Sequence, residues 1–150
     1  MKQKTSARVS MLILSAMLLF LVACGAPLKK MAEIDTYSFG DDHIPSIRRI
    51  VGTRQVTGFE TKVDGNGDMS QMYQYRSSTI SDDLDQYGNY LVGQLNYVVT
   101  IGGDLQEESG SIQFATESVD EGKIILFDIE WSAGQYKFTL LKTIGTLTRY

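Results

Sequence analysis

The sequence predicts an α+β fold in which one main helix packs on an antiparallel sheet. Along residues 111–143, apolar and polar residues alternate on either side of two short turn signals, which is typical of a three-strand meander. Upstream, an apolar stripe at helical spacing is formed by Leu84, Tyr87, Leu91 and Leu95. A helix and a sheet that each have one apolar face bury those faces against each other, so we expect a two-layer domain.

The N-terminus carries a targeting signal rather than a part of this fold. A basic start is followed by an apolar run from Val9 to Ala23, the layout of a secretory signal peptide. That run is shorter than the roughly 20 apolar residues that span a bilayer. Leu21-Val22-Ala23-Cys24 resembles the lipobox of bacterial lipoproteins. The resemblance implies cleavage between Ala23 and Cys24, a diacylglyceryl group on the Cys24 thiol, and a lipid-anchored protein on the extracytoplasmic side of the cell membrane. The alternative is an ordinary cysteine that ends a signal peptide.

Charge and size restrict the mature chain further. The 14 basic and 18 acidic residues of the whole chain become 11 and 18 after the signal is removed, a net charge of −7. This charge argues against nucleic-acid binding, which needs clustered Lys and Arg. It also argues against purely electrostatic adhesion to anionic lipid. Cys24 is the only cysteine, so the mature chain forms no internal disulfide. Residues 36–150 suffice for one domain.

Two short N-terminal segments follow the cleavage site. Gly25 and Pro27 discourage regular structure, so residues 24–35 are interpreted as a lipidated tether. Pro45 in a first turn and Gly52 as a stop predict a short helix over residues 44–51.

A β-hairpin is expected next. Alternating segments flank the turn formers Asp64–Asp68. Two registers are open, with Phe59 opposite either Gln74 or Met72. In both, Phe59 shares a face with Met72.

Tyr73 and Tyr75 then fall on the other face of this hairpin. They are the predicted interaction face for a partner protein of the cell envelope. Such a face would be an exposed apolar patch, which monomers rarely show.

The main helix has its own start and stop signals. Ser81 is the expected N-cap, and Asp82 and Asp83 fall in the first turn, where carboxylates offset the helix dipole. Asn96 can end the helix in a left-handed conformation. Residues 97–101 then indicate a strand, and residues 102–110 a polar loop.

The meander has a predicted register at both of its turns. A turn at Ala133-Gly134 and another at Asp120-Glu121 each place apolar residues on one side, and a one-residue slip would mix the faces. The expected pairs are Trp131 with Tyr136, Ile129 with Phe138 and Ile112, Phe127 with Leu140 and Phe114, and, on the opposite face, Glu130 with Lys137 and Leu126 with Leu141.

Catalytic and metal sites find little support. His43, beside Asp41 and Asp42, is the only histidine, and no Gly-x-Ser-x-Gly sequence occurs. We therefore interpret His43 as a solvated residue before a helix. One histidine and a lipidated cysteine cannot form a His/Cys zinc site. We expect no catalytic residue, metal or cofactor.

Three sets of charged residues could bind an ion or act in catalysis, but the sequence favours a structural role for each. Asp64–Asp68 places carboxylates and an amide at alternate positions, as in a calcium loop, but Met69 and Tyr75 occupy the loop's glycine and bidentate positions. A hairpin turn is the preferred interpretation, with weak calcium binding left open. Arg48 and Arg49 point in different directions on a helix and do not form an anion clamp. The remaining carboxylate pairs, expected at a helix start and in turns, are Asp82 with Asp85, Glu107 with Glu108, and Asp120 with Glu121.

The function predicted from these observations is that of a non-catalytic, lipid-anchored binding or interaction domain. The alternatives are an accessory subunit of an envelope complex and a small cell-wall hydrolase that uses two carboxylates in a cleft. The order of elements also resembles small uncharacterised lipoproteins of Gram-positive bacteria, which implies an address and a fold rather than an activity.

Overall fold

Eight strands and three helices follow one another in the computed structural model, which describes residues 25–148. The predicted signal peptide, its cleavage site at Ala23 and the lipidation site at Cys24 lie outside these residues. The helices are α1 (Gly25–Ala32), α2 (Ile47–Val51) and α3 (Ile80–Leu95). The strands are β1 (Thr36–Phe39), β2 (Asp42–Pro45), β3 (Gln55–Val63), β4 (Met69–Arg76), β5 (Val98–Ile101), β6 (Gly110–Glu117), β7 (Lys123–Ser132) and β8 (Gln135–Ile144).

The strands form one large and one small antiparallel sheet. The large sheet has six strands in the order β3-β4-β8-β7-β6-β5, and β1 pairs with β2 in a separate hairpin. The predicted α+β class with a C-terminal meander is therefore confirmed. Every predicted pair of the meander is confirmed as well, including Trp131 with Tyr136, Phe114 with Phe127 and Glu130 with Lys137.

The core lies on one face of the six-stranded sheet, called here the inner face. The predicted stripe of α3 packs there, and Leu84, Tyr87 and Leu91 are at most 2 % exposed. Phe138 is fully buried at its centre, with ring centroids 5.1 Å from Phe127 and 5.5 Å from Tyr87. Such aromatic pairs add to the stabilisation that burial of their apolar area gives.

The predicted register of the first hairpin is wrong. Phe59 lies opposite Tyr73, not Gln74 or Met72, and their ring centroids are 5.0 Å apart on the same face. The connection is a five-residue loop instead of a two-residue turn, since Val63 pairs with Met69. The Asp64 carboxylate organises this loop by accepting hydrogen bonds from the backbone N–H groups of residues 66 and 68.

The predicted interaction face of Tyr73 and Tyr75 is also wrong, because both side chains are only 3 % exposed. The β1–β2 hairpin covers them. The Tyr37 hydroxyl lies 2.8 Å from the Tyr75 hydroxyl, and the Tyr37 and Tyr73 ring centroids are 4.5 Å apart. The sequence pattern of the hairpin alone does not reveal that a second hairpin covers this face.

The N-terminal segment differs from the expected irregular tether. Residues 25–32 form α1, and Leu28 and Met31 pack against the core. The predicted helix over 44–51 is shorter than expected, because Pro45 ends strand β2 and Ser46 is the N-cap of α2. Gly52 ends this helix as predicted, with a φ of 85° that favours glycine.

The main helix begins earlier than predicted and ends as predicted. Thr79, rather than Ser81, is its N-cap, and Asn96 closes it in a left-handed conformation with φ 56°. Within residues 25–148, none of the helices is both long and apolar enough to cross a membrane.

Candidate functional site

The face of the six-stranded sheet opposite the core, called here the outer face, contains an open recess lined by polar side chains. Helix α3 and the β1–β2 hairpin both pack on the inner face. Outer-face side chains such as Met72, Thr139 and Leu126 remain partly exposed. Near the β7–β8 turn this face carries an open cleft of about 590 Å³.

Polar side chains line this cleft. Strand alternation directs residues 128 and 130 of β7 and residues 135 and 137 of β8 outward, since their neighbours in sequence face the core. One cross-strand row runs from β4 to β6 through the cleft, in the order Gln74, Lys137, Glu130 and Ser111. The lining includes the polar side chains of Gln74, Ser111, Asp128, Glu130, Gln135 and Lys137.

These polar groups are joined to one another. The Lys137 ammonium lies 2.8 Å from the Glu130 carboxylate, and the Gln74 amide donates to the Gln135 amide oxygen at 2.8 Å. Glu130 and Lys137 remain 55 % and 39 % exposed, so both charges can still reach a ligand. The cleft thus presents donors and acceptors that are already oriented, which lowers the entropic cost of binding a polar ligand.

Trp131 forms a wall of the cleft but offers no open ring face. It is 5 % exposed, and its indole N–H donates to the Glu107 carbonyl at 3.0 Å. The loop over residues 102–110 lies so close that a Cβ on Gly110 would come within 2.5 Å of the ring. On the other side of this tryptophan, a second recess of about 440 Å³ is bordered by Ile80, Leu105 and Glu108.

His43 and the neighbouring Asp42 do not form a catalytic pair, because their side chains point to opposite sides of β2. His43 is exposed on β2, and its Nδ1 lies 3.2 Å from the Ser38 hydroxyl across the hairpin. Asp42, its neighbour, points into the interior instead. The expected solvated position of His43 is confirmed, although it lies in a strand and not before a helix.

Asp42 belongs to a buried ionic cluster. Its carboxylate accepts from the Lys142 ammonium at 2.6 Å and from the Ser118 hydroxyl at 2.6 Å. Burial acts to raise the pKa of the Asp42 carboxyl, but the hydrogen bonds from Lys142 and Ser118 outweigh it, and the pKa is lowered. Asp120 also pairs with Lys142 at 2.5 Å. The cluster therefore ties the β1–β2 hairpin to the β6–β7 turn and to β8.

A second buried cluster joins α3 to the start of β3. The Arg54 guanidinium donates to both oxygens of Asp83 at 2.6 Å, and Ser77 donates to the same carboxylate at 2.7 Å. Burial acts to raise the pKa of the Asp83 carboxyl, but the hydrogen bonds from Arg54 and Ser77 outweigh it, and the pKa is lowered. Asp83 is thus a structural carboxylate rather than a solvated helix-start residue, which the sequence did not reveal.

The other acidic groups lie apart from the cleft. Asp82 and Asp85 are exposed on the first turns of α3, while Glu107 and Glu108 are exposed in the loop before β6. In the described residues, no three or more His, Cys, Asp or Glu side chains are placed to hold a metal ion. The Asp64 carboxylate of the predicted alternative calcium loop is occupied by backbone N–H groups.

The two adjacent arginines point apart, as expected for neighbours on a helix. Arg48 donates to the Asp35 carboxylate at 2.6 Å and to the Glu33 carbonyl at 2.9 Å, whereas Arg49 is exposed. The pair does not form a clamp for one anion.

The sequence contains a signal for the cleft that the prediction of a partner surface did not use. The pairing of Glu130 with Lys137 was predicted on the face away from the core, but only the apolar face was used to place a partner. Gln74 could not be added, because no sequence pattern predicts that β4 pairs with β8, which is distant in the chain.

Comparison with known proteins gives no independent guide to function. No protein-family model matches the chain, and a search of curated proteins finds no significant match.

Proposed function

We propose that the mature chain is a non-catalytic, lipid-anchored binding domain on the extracytoplasmic side of the membrane, and that the outer-face cleft is its ligand site. The observation that carries the ligand site is a recess of about 590 Å³ with an oriented polar floor. The lipobox at Leu21-Val22-Ala23-Cys24 supports the address.

The lining of the cleft favours a polar ligand. Gln74 and Gln135 provide amide donors and acceptors, and Glu130 with Lys137 adds one charge of each sign. The tryptophan of the wall is buried, so recognition would depend on hydrogen bonds rather than on stacking against a ring. A hydroxyl- and amide-rich fragment of the cell wall has the matching chemistry.

The address is tested by labelling cells with an alkyne analogue of palmitate. Wild-type protein is expected to take up the label and to sediment with membranes, while Cys24→Ala loses both properties. Label on the Cys24→Ala variant would contradict the proposed anchor.

The ligand site is tested by calorimetry on the mature protein in lipid nanodiscs, titrated with soluble peptidoglycan fragments. Gln135→Leu is expected to abolish binding, because it removes the amide partner of Gln74 and puts an apolar side chain among the polar groups of the cleft. The matched control is Gln86→Leu on the exposed side of α3, which should bind as the wild type does. Equal binding by both variants would exclude the cleft.

An accessory subunit of an envelope complex is the second candidate, because an exposed apolar patch does occur at edge strand β5. Val99 and Ile101 are 48 % and 55 % exposed there, and Val92 of the adjoining helix is 42 % exposed. A free edge with apolar side chains can pair with a strand of another protein. Crosslinking in the native membrane tests this: one protein captured in near-stoichiometric yield, and lost with Val99→Lys, would favour this candidate.

The cleft gives a carboxylate hydrolase no specific support. Asp128 and Glu130 both line it, but they come from one strand, two residues apart. Asp128 accepts from the Gln113 amide at 2.8 Å, and Glu130 is paired with Lys137. Both carboxylates therefore already have protein partners.

A further inference from the structure

We infer that the surface formed by α1, α2 and the start of β3 lies directly against an anionic membrane. This surface, called here the N-terminal basic surface, carries Lys29, Lys30, Arg48, Arg49 and Arg54. The inference rests on the proposed lipid anchor at Cys24, and it adds the side of the domain that faces the lipid.

The first step is that little chain separates the anchor from the domain. Helix α1 begins at Gly25, directly after Cys24, and Leu28, Met31 and Ala32 pack against the core. An eight-residue helix is about 12 Å long, so the acylated cysteine would stay within about that distance of the domain surface. A domain held this closely cannot turn freely, in contrast to one on a long flexible tether.

The second step is the distribution of charge. The segments 25–35 and 46–54 contain five basic residues and two acidic ones, Glu33 and Asp35, a net charge of +3, and the charge of Arg54 among them is offset by Asp83 of α3. The mature chain as a whole has a net charge of −7, so all the rest of it sums to −10. An anionic surface attracts the first region and repels the second, and both effects favour the same orientation.

Hydrogen bonds link the segments that form the N-terminal basic surface, and three of its cations are exposed. Arg48 joins α2 to the end of α1 through Asp35 and the Glu33 carbonyl. Lys29, Lys30 and Arg49 are exposed and take part in none of the ion pairs seen within residues 25–148. These three cations therefore remain available to lipid headgroups.

The orientation is tested with a fluorophore on single introduced cysteines, which label selectively because Cys24 is the only native cysteine and would be acylated. The near probe is Thr53→Cys, beside Arg54 at the start of β3. The far probe is Ser109→Cys, next to β6. Strand β6 lies four strands from β3 in the sheet, which is about 19 Å at the usual strand spacing. The acylated protein is reconstituted in phosphatidylcholine vesicles with or without phosphatidylglycerol, together with brominated quencher lipid.

We expect strong quenching at Thr53→Cys and weak quenching at Ser109→Cys, but only in vesicles that contain phosphatidylglycerol. High salt should abolish the difference, because it screens surface charge. Each cation near an anionic surface changes such an equilibrium by about fivefold. The variant Lys29→Gln/Lys30→Gln/Arg49→Gln should therefore lower the ratio of bound to unbound orientations on the order of a hundredfold.

The matched control is Lys62→Glu/Lys123→Gln, which changes the net charge by the same amount, −3, away from both the N-terminal basic surface and the outer-face cleft. It should keep the quenching difference between the two probes. Equal quenching of both probes in protein that floats with the vesicles would overturn the inferred orientation while leaving the anchor intact. Protein that fails to float would overturn the anchor and, with it, the orientation.

Discussion

The inner and outer faces of the six-stranded sheet are built from alternate residues of the same strands, yet they differ in almost every physical respect. On the inner face of β8, Tyr136, Phe138 and Leu140 are at most 1 % exposed. On its outer face, Lys137, Thr139 and Leu141 are partly exposed. One strand therefore supplies the centre of the core and the floor of the candidate ligand site.

This difference indicates that the inner face stabilises the fold and that the outer face is available for binding. The inner face is covered by α3 and the β1–β2 hairpin, so its residues are constrained by close packing. Among the described residues no helix packs on the outer face, so side chains there can vary without leaving a cavity. We expect substitutions on the inner face to act on stability and substitutions on the outer face to act on binding.

The largest expected effect comes from a matched pair of leucines. Leu140→Ala removes a fully buried side chain and should lower the free energy of unfolding by about 3 kcal/mol. Leu141→Ala changes the next residue of the same strand on the outer face and should cost about 1 kcal/mol or less. Urea unfolding of both variants measures the two values, and equal losses would contradict the proposed division between the faces.

The second effect concerns the buried carboxylate that joins α3 to β3. Asp83→Asn leaves the Arg54 guanidinium without its charged partner and should cost about 2 kcal/mol at neutral pH. Asp82→Asn, one residue earlier and exposed, is the control and should change stability by less than about 0.5 kcal/mol. Thermal and urea unfolding at pH 7 compare the two variants.

The pH dependence of this effect has a definite sign. The pKa of the Asp83 carboxyl is lower in the folded state than in the unfolded state, where it is about 3.9. Its stabilising contribution is therefore present above about pH 4 and is lost as the pH falls through the lowered folded pKa. Wild type and Asp83→Asn should converge in stability in that acid range, and a constant difference at every pH would show that charge is not the cause.

The elements that could be predicted from sequence are those whose partners are close in sequence. The meander register was predicted at both turns, because each turn fixes the pairing of its two neighbours and every slip would mix apolar and polar faces. The predicted register of the first hairpin is wrong because its loop has five residues instead of two. The Asp64 side chain organises this longer loop by accepting backbone hydrogen bonds within it. Helix α1 was missed because its stability comes from the packing of Leu28 and Met31 rather than from local propensity.

The residues of the candidate site also differ in whether their partners are close or distant in sequence. Two residues of the candidate cleft, Glu130 and Lys137, were predicted as a cross-strand pair, though not as a site. Its Gln74–Gln135 hydrogen bond joins residues 61 positions apart, and Asp42 meets Lys142 across 100 positions, so neither contact has a local signal. The burial of Tyr73 and Tyr75 likewise depends on Tyr37, which belongs to a separate hairpin.

The third effect tests the inner face at alkaline pH. Burial raises the pKa of the Tyr73 hydroxyl to about 12, above the unfolded value of about 10. A raised tyrosine pKa gives stability that is complete below about pH 10 and is lost as the pH rises toward 12. Tyr73→Phe should therefore weaken the decline of stability above pH 10, as measured by urea midpoints and tyrosinate absorbance. An unchanged slope would mean that Tyr73 ionises equally in both states.

The smallest effect on stability is expected at the cleft, and it separates the two faces most sharply. Glu130 and Lys137 are 55 % and 39 % exposed, and ion pairs this open contribute between about 0 and 1 kcal/mol. Glu130→Gln should thus change the free energy of unfolding by less than about 0.5 kcal/mol while removing one of the two carboxylates, Asp128 and Glu130, that line the proposed ligand site. Stability measured by urea and ligand binding measured by calorimetry then answer separate questions about one substitution. A loss of stability as large as that of Leu140→Ala would show that Glu130 is needed for the stability of the fold. That result would contradict the interpretation of the outer-face cleft as a ligand site whose residues contribute little to stability.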